Sequence, residues 1–119
     1  MIKMENKYNL EERTYQFAKR IAFFCRRLPY NSTNKEYISQ LIRSSGSTGA
    51  NYIEANEALS KKDFVMRIKI CRKEAKESIY WIRLIVDTNS EGFKQEGVSL
   101  KDEATELKKI FSAIIVKSS

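Results

Sequence analysis

From Phe64 to Ile85 the residues Phe64, Ile68, Cys71, Ala75, Ser78, Ile82 and Ile85 recur at spacings of four and three. Side chains at those spacings share one face of a 3.6-residue helix, so the seam predicts an α-helix packed in a bundle. A long helix with one apolar stripe needs other helices to cover it, and the rest of the chain supplies them. Asn9-Leu10-Glu11-Glu12, Thr33-Asn34-Lys35-Glu36, Ser60-Lys61-Lys62-Asp63 and Ser99-Leu100-Lys101-Asp102 each set a capping residue three positions before an acid. They predict helices over about 10–28, 34–58, 61–89 and 99–117, with 1–8 frayed. Phe17, Ala18, Ile21, Phe24, Cys25 and Leu28 form the apolar side of the first helix, which Pro29 stops. Leu100, Ala104, Leu107, Phe111 and Ile114 form the seam of the last, widened by Ile110 and Ile115. Ser90–Val98, with Gly92 and Gly97, reads as the longest linker. Short connections make successive helices antiparallel neighbours. The expected fold is all-α: residues 1–119 as a single domain, an up-and-down antiparallel four-helix bundle.

The second helix is rich in small residues. Ile38, Ile42, Ser45, Gly49, Tyr52 and Asn56 share one face, and Gly46, Gly49 and Ala50 would let a neighbouring backbone approach closely. Two glycines inside a helix cost about 1 kcal/mol each relative to alanine, which calls for a packing reason. Arg43, Ser47, Ala50, Glu54 and Glu57 line the opposite face. Two readings fit that face: plain solvent exposure, or an Arg43–Glu54 type of ion-pair network between helices or subunits.

The third helix carries the charge. Lys62, Lys69, Lys73, Lys76 and Arg83 fall within about 80° of one another at roughly 100° per residue, opposite the seam. Eight Lys/Arg lie between Lys61 and Arg83, against Asp63, Glu74 and Glu77. A solvated outer face is one reading, and a polyanion-binding surface is the other. Lys69 and Lys73 repel at i,i+4, and a Lys73–Glu77 pair offsets that by only about 0.2–0.5 kcal/mol. At the end of this helix Ile79, Tyr80, Trp81, Ile82, Leu84, Ile85 and Val86 leave Arg83 alone as a polar face. Either a subunit interface covers Tyr80 and Trp81, or loops of the same chain do.

Three runs carry a resemblance. Ser47-Thr48-Gly49-Ala50-Asn51-Tyr52-Ile53-Glu54-Ala55, then Ser60-Lys61-Lys62-Asp63-Phe64, then Lys73-Glu74-Ala75-Lys76-Glu77 with Tyr80-Trp81, resemble the bacterial four-helix-bundle family called 23S rRNA-intervening-sequence proteins or ribosomal protein S23. The chain is also similar to the accessory variability protein of diversity-generating retroelements. The resemblance implies a bundle that assembles into a homopentamer with a central channel. In the retroelement case it implies a basic pentamer that binds nucleic acid and a reverse transcriptase. Arg43, Asn51, Glu54, Glu74, Tyr80 and Trp81 stand as candidates for maintaining fold and assembly.

What the chain lacks narrows its chemistry. It has no histidine, the commonest general base and metal ligand, and only two cysteines, Cys25 and Cys71, both on apolar helix faces. Free buried thiols are expected, with no disulfide, metal or cofactor. Gly46-Ser47-Thr48-Gly49 lacks the lysine and preceding strand of a phosphate-binding loop. Ser44, Ser45 and Ser47 have no histidine partner. No apolar run reaches the ~18 residues of a membrane span, so a cytoplasmic, non-membrane protein is expected. The net charge of +7 favours polyanions without naming one. The expected function is a non-enzymatic basic oligomer that binds RNA or DNA through phosphate contacts at Lys62, Lys69, Lys73, Lys76 and Arg83. The alternative is a scaffold with a protein partner and no nucleic-acid role.

Overall fold

Two short polar side chains, Asn31 and Ser60, decide where the middle helices begin. The computed structural model describes the backbone of residues 2–118 and the side chains of residues 10–118. Asn31 is extended (φ −153°, ψ 169°), and its carboxamide oxygen accepts from the Asn34 amide at 2.8 Å, opening α2, Ser32–Asn56. Ser60 caps α3, Lys61–Thr88, by accepting from the Asp63 amide at 3.1 Å. Each cap satisfies one of the amides that a helix start leaves without a partner. α1 spans Ile2–Arg26 and α4 spans Lys94–Ser118, the latter after a single 3₁₀ turn at Glu91–Phe93. The described residues contain no strand.

Three helix starts differ from the sequence expectation. α1 begins at Ile2, so the cap expected at Asn9 lies inside the helix. Residues 2–8, expected to fray, are helical in backbone; Met1 and the side chains of 1–9 lie outside the described residues. α2 is capped by Asn31 and not by Thr33, because Asn34 is used elsewhere. It is 2% exposed, its Nδ2 donates to the Pro29 carbonyl at 2.8 Å, and it forms a reciprocal amide pair with Asn89 at 3.0 Å. That pair fastens the start of α2 to the end of α3. The third difference is the linker expected at Ser90–Val98. Its second half is the first turn and a half of α4, and the Ser99 hydroxyl accepts from Arg20 Nη2 at 3.0 Å instead of capping. Gly97 is buried there: a Cβ would sit 2.3 Å from Val86 Cγ2 and 3.6 Å from Phe24 Cζ. The glycine gives close approach within a helix, where a flexible turn was the natural reading.

α1 packs beside α2, α2 along α3, α3 along α4, and α4 returns to α1. The result is an up-and-down bundle of 44 × 24 × 19 Å. Its centre holds Phe17, Ile21 and Phe24 from α1, Leu41 from α2, Ile68, Ile82 and Ile85 from α3, and Leu100, Leu107 and Phe111 from α4. Each such side chain contributes about 1.5–3 kcal/mol by leaving water.

The α2–α3 seam is built from hydroxyls. Ser44 and Ser78 share a hydrogen bond at 2.8 Å, Ser78 also donates to the Glu74 carbonyl at 3.0 Å, and Thr48 donates to the Ser44 carbonyl at 2.9 Å. These side chains satisfy themselves locally, so they can be buried, and they take little room between the helices. Leu41, Ser44, Ser45, Thr48, Tyr52 and Ala55 are the buried residues that carry this face, and Ile42, expected on it, is 43% exposed. Gly49 does lie against a neighbour, with Thr14 Oγ1 of α1 2.9 Å from where a Cβ would stand, but Gly46 has nothing within 4 Å. Ala50 is exposed.

Candidate nucleic-acid interface

Lys62, Lys69, Lys73, Lys76 and Arg83 are all exposed. They run along the outer face of α3, over about 32 Å at 1.5 Å per residue. None forms an ion pair among the described residues; the ion pairs there join Arg13 to Glu103, Arg27 to Glu96, Arg43 to Glu74 and Glu77, and Lys109 to Glu106. The Lys73–Glu77 pair weighed from the sequence is not made. Glu77 Oε1 instead accepts from Arg43 Nη2 at 2.7 Å, while Glu74 Oε1 accepts from Arg43 Nη1 at 3.2 Å. The acids interspersed among the α3 cations are thus turned toward α2, and the lysines keep their field.

The structure divides the five expected cations. Lys73, Lys76 and Arg83 line one shallow groove with Glu77, Tyr80 and Trp81, joined by Lys108 from α4. Lys62 and Lys69 do not line it. Lys62 sits at the other end of α3, beside a second groove at the α2–α3 corner that is lined by Glu54, Glu57, Asp63 and Arg67 with Leu59 and Met66. Lys108 was missed because no spacing within one helix links α4 to α3. Tyr80 was visible in the pattern: it lies 18 residues, five full turns, beyond Lys62 and therefore in line with the stripe.

The motif residues fall mainly on the α2–α3 seam. Arg43 and Glu74 form the ion pair above, and Asn51 Oδ1 accepts from Arg67 Nη1 at 2.9 Å. The interhelical network expected around Arg43 therefore exists, but with Glu74 and Glu77; Glu54 is exposed and makes no ion pair among the described residues, since Arg43 points at α3. Trp81 lies between Tyr37 of α2, ring centroids 5.9 Å apart, and Tyr80, at 5.0 Å and edge-on. Tyr80 itself is 55% exposed.

Cys25 and Cys71 are free and buried, and burial pushes their thiols up to about 11 and about 12. Neutral thiols of this kind are poor nucleophiles and poor ligands. Among the described residues no group of three or more His, Cys, Asp or Glu is placed to hold a metal ion, and no helix is long and apolar enough to cross a membrane.

A family model described as 23S rRNA-intervening sequence protein matches residues 6–113. Among solved structures, the chain is similar to a protein of unknown function from the S23 ribosomal protein family of Bacteroides thetaiotaomicron. The two share 30% identity and a TM-score of 0.77, over 92% of this chain and 96% of that one. No curated protein matches.

Proposed function

The chain belongs to the 23S rRNA-intervening sequence protein family, and on that premise we propose that it is a non-enzymatic nucleic-acid-binding accessory protein of the cytoplasm that works as a homo-oligomer, a pentamer by family resemblance. The observation that carries this reading is the run of exposed, unpaired cations on α3, joined by Lys108 of α4. Cations held on a rigid helix and making no ion pair among the described residues bind phosphates without reading base sequence. In an oligomer the faces repeat, and the avidity rises with them. Self-association is supported by the apolar side chains that a single chain leaves open, among them Ile42, Ile53 and Met66.

Fluorescence anisotropy with labelled RNA and duplex DNA, titrated over about 50–200 mM salt, tests the proposal. Binding should be tight at the low end and collapse toward the high end. Lys73→Gln/Lys76→Gln should weaken it and flatten the log–log salt slope by about two units, one for each lost phosphate contact. A folded double variant with unchanged affinity and slope would remove the assignment.

One observation favours a second reading, a scaffold for a protein partner. Leu59 is 98% exposed at the α2–α3 corner, next to Met66 and the three carboxylates of the corner groove. Three carboxylates against one cation, Arg67, around exposed apolar side chains suit a basic amphipathic segment of another protein. The same titration separates the readings, because a pure scaffold binds neither oligonucleotide even at low salt.

A further inference from the structure

Tyr80 emerges from α3 four residues after Lys76 and three before Arg83, so its ring stands between those two cations on one face. An exposed tyrosine on a helix surface normally samples several rotamers. Here Trp81 abuts it edge-on at 5.0 Å and 76°, and Trp81 is in turn backed by Tyr37 at 5.9 Å. The phenol is braced, yet 55% of it remains open to solvent. Lys73, Lys76, Arg83 and Lys108 line the groove around it, together with one carboxylate, Glu77, which Arg43 engages at 2.7 Å.

A braced open aromatic ring ringed by cations combines the two elements of single-strand recognition. A base stacks on the ring while the charges follow the backbone. Bases inside a duplex already stack on one another and cannot reach such a ring from the side. Resting on the reading of α3 as a phosphate-binding face, we propose that this groove takes unpaired nucleotides. One base stacks on Tyr80, the flanking phosphates sit on Lys73, Lys76, Arg83 and Lys108, and single strands are preferred over duplexes.

The test compares a labelled unstructured oligonucleotide with a duplex of equal length, at one salt concentration, using the full chain in its native assembly. Wild type should bind the single strand more tightly. Tyr80→Ala should lose about tenfold or more on the single strand, the loss expected for one stacked base, and keep its duplex affinity. Tyr80→Phe should retain both, since stacking needs the ring and not the hydroxyl. Trp81 is the only tryptophan of the chain, so its emission should change on binding the single strand. Circular dichroism and light scattering must show Tyr80→Ala with unchanged helix content and mass. Equal losses on both ligands, a change in mass, or no loss at all would overturn the stacking role. If Lys73→Gln/Lys76→Gln weakens both ligands while Tyr80→Ala weakens neither, the phosphate face stands and the stacking groove falls. If wild type binds neither ligand at low salt, both fall together.

Discussion

Arg43 of α2 holds two carboxylates of α3 at once, Glu74 Oε1 at 3.2 Å through Nη1 and Glu77 Oε1 at 2.7 Å through Nη2. The fork matches the i,i+3 spacing of two acids on one helix face, which a lysine could not do with one ammonium. The clamp has two effects. It locks the helices in register, and it withdraws Glu77 from Lys73, so the outer face of α3 stays cationic.

Removing the guanidinium should therefore hurt in a specific way. Glu74 is 7% exposed and would be left buried without its charged partner. Arg43→Ala should cost about 1–2 kcal/mol, near the lower end for a hydrogen bond to a charged group because the Arg43 side chain is half in water. Combining it with Glu74→Gln should cost less than the sum of the two single changes. Urea denaturation of the four proteins of this cycle checks it; strictly additive losses would mean that Arg43 and Glu74 do not share an interaction.

Two glycines, both helical in the structure, should respond with opposite signs. Gly46 is inside α2 with nothing within 4 Å of a would-be Cβ, so Gly46→Ala should stabilise by about 0.5–1 kcal/mol through helix propensity. A Cβ on Gly97 would clash with Cγ2 of the branched Val86, and Gly97→Ala should destabilise by about 1–3 kcal/mol as α4 is pushed off α3. Thermal melts of the two variants beside wild type decide both. A neutral Gly97→Ala would show that α4 moves without cost.

The sequence carries the helices and their neutral faces clearly, because a seam such as Phe64 to Ile85 depends only on periodicity within one element. It carries less of what depends on two elements at once. Asn34 looks like part of a capping box until Asn89, 55 positions away, claims its amide. Gly97 looks like a linker residue until Val86 and Phe24 are placed against it. The stripe itself was legible as a helical wheel, and Tyr80 lies on the same wheel. Lys108 and the diversion of Glu77 to Arg43 were not, since each requires knowing which face of α4 or α2 meets α3.

The buried thiols predict an alkaline loss of stability. Cys25 and Cys71 are held at about 11 and about 12 in the fold by burial, against an ordinary value near 9 in the unfolded chain. The folded state therefore keeps protons that the unfolded state releases. Their contribution is complete below about pH 9 and declines as pH rises toward 11 and 12, by up to roughly 3 kcal/mol for Cys25 and 4 kcal/mol for Cys71 at about 1.4 kcal/mol per unit. Urea midpoints measured from neutral pH upward should fall more steeply in wild type than in Cys25→Ala/Cys71→Ala, which starts lower because of its lost packing. Parallel profiles would assign the alkaline loss to other groups.

Trp81 contains the one buried side-chain polar atom without a hydrogen-bond partner among the described residues, its indole Nε1. An unsatisfied buried donor costs about 1–3 kcal/mol, while the ring it belongs to packs on Tyr37 and Tyr80. The two contributions can be separated by substitution. Trp81→Phe deletes the N–H and keeps an aromatic ring, so the gain from the lost donor should offset most of the lost area, for a net change within about 1 kcal/mol. Trp81→Ala deletes both and should cost about 2–4 kcal/mol. Chemical denaturation supplies the energies, and light scattering of the same samples supplies the mass. A Trp81→Phe protein that falls apart into single chains while each remains helical would show that a neighbouring copy satisfies Nε1 in the assembly. A protein of unchanged mass and stability would place the role of Trp81 inside one chain, as the brace behind Tyr80.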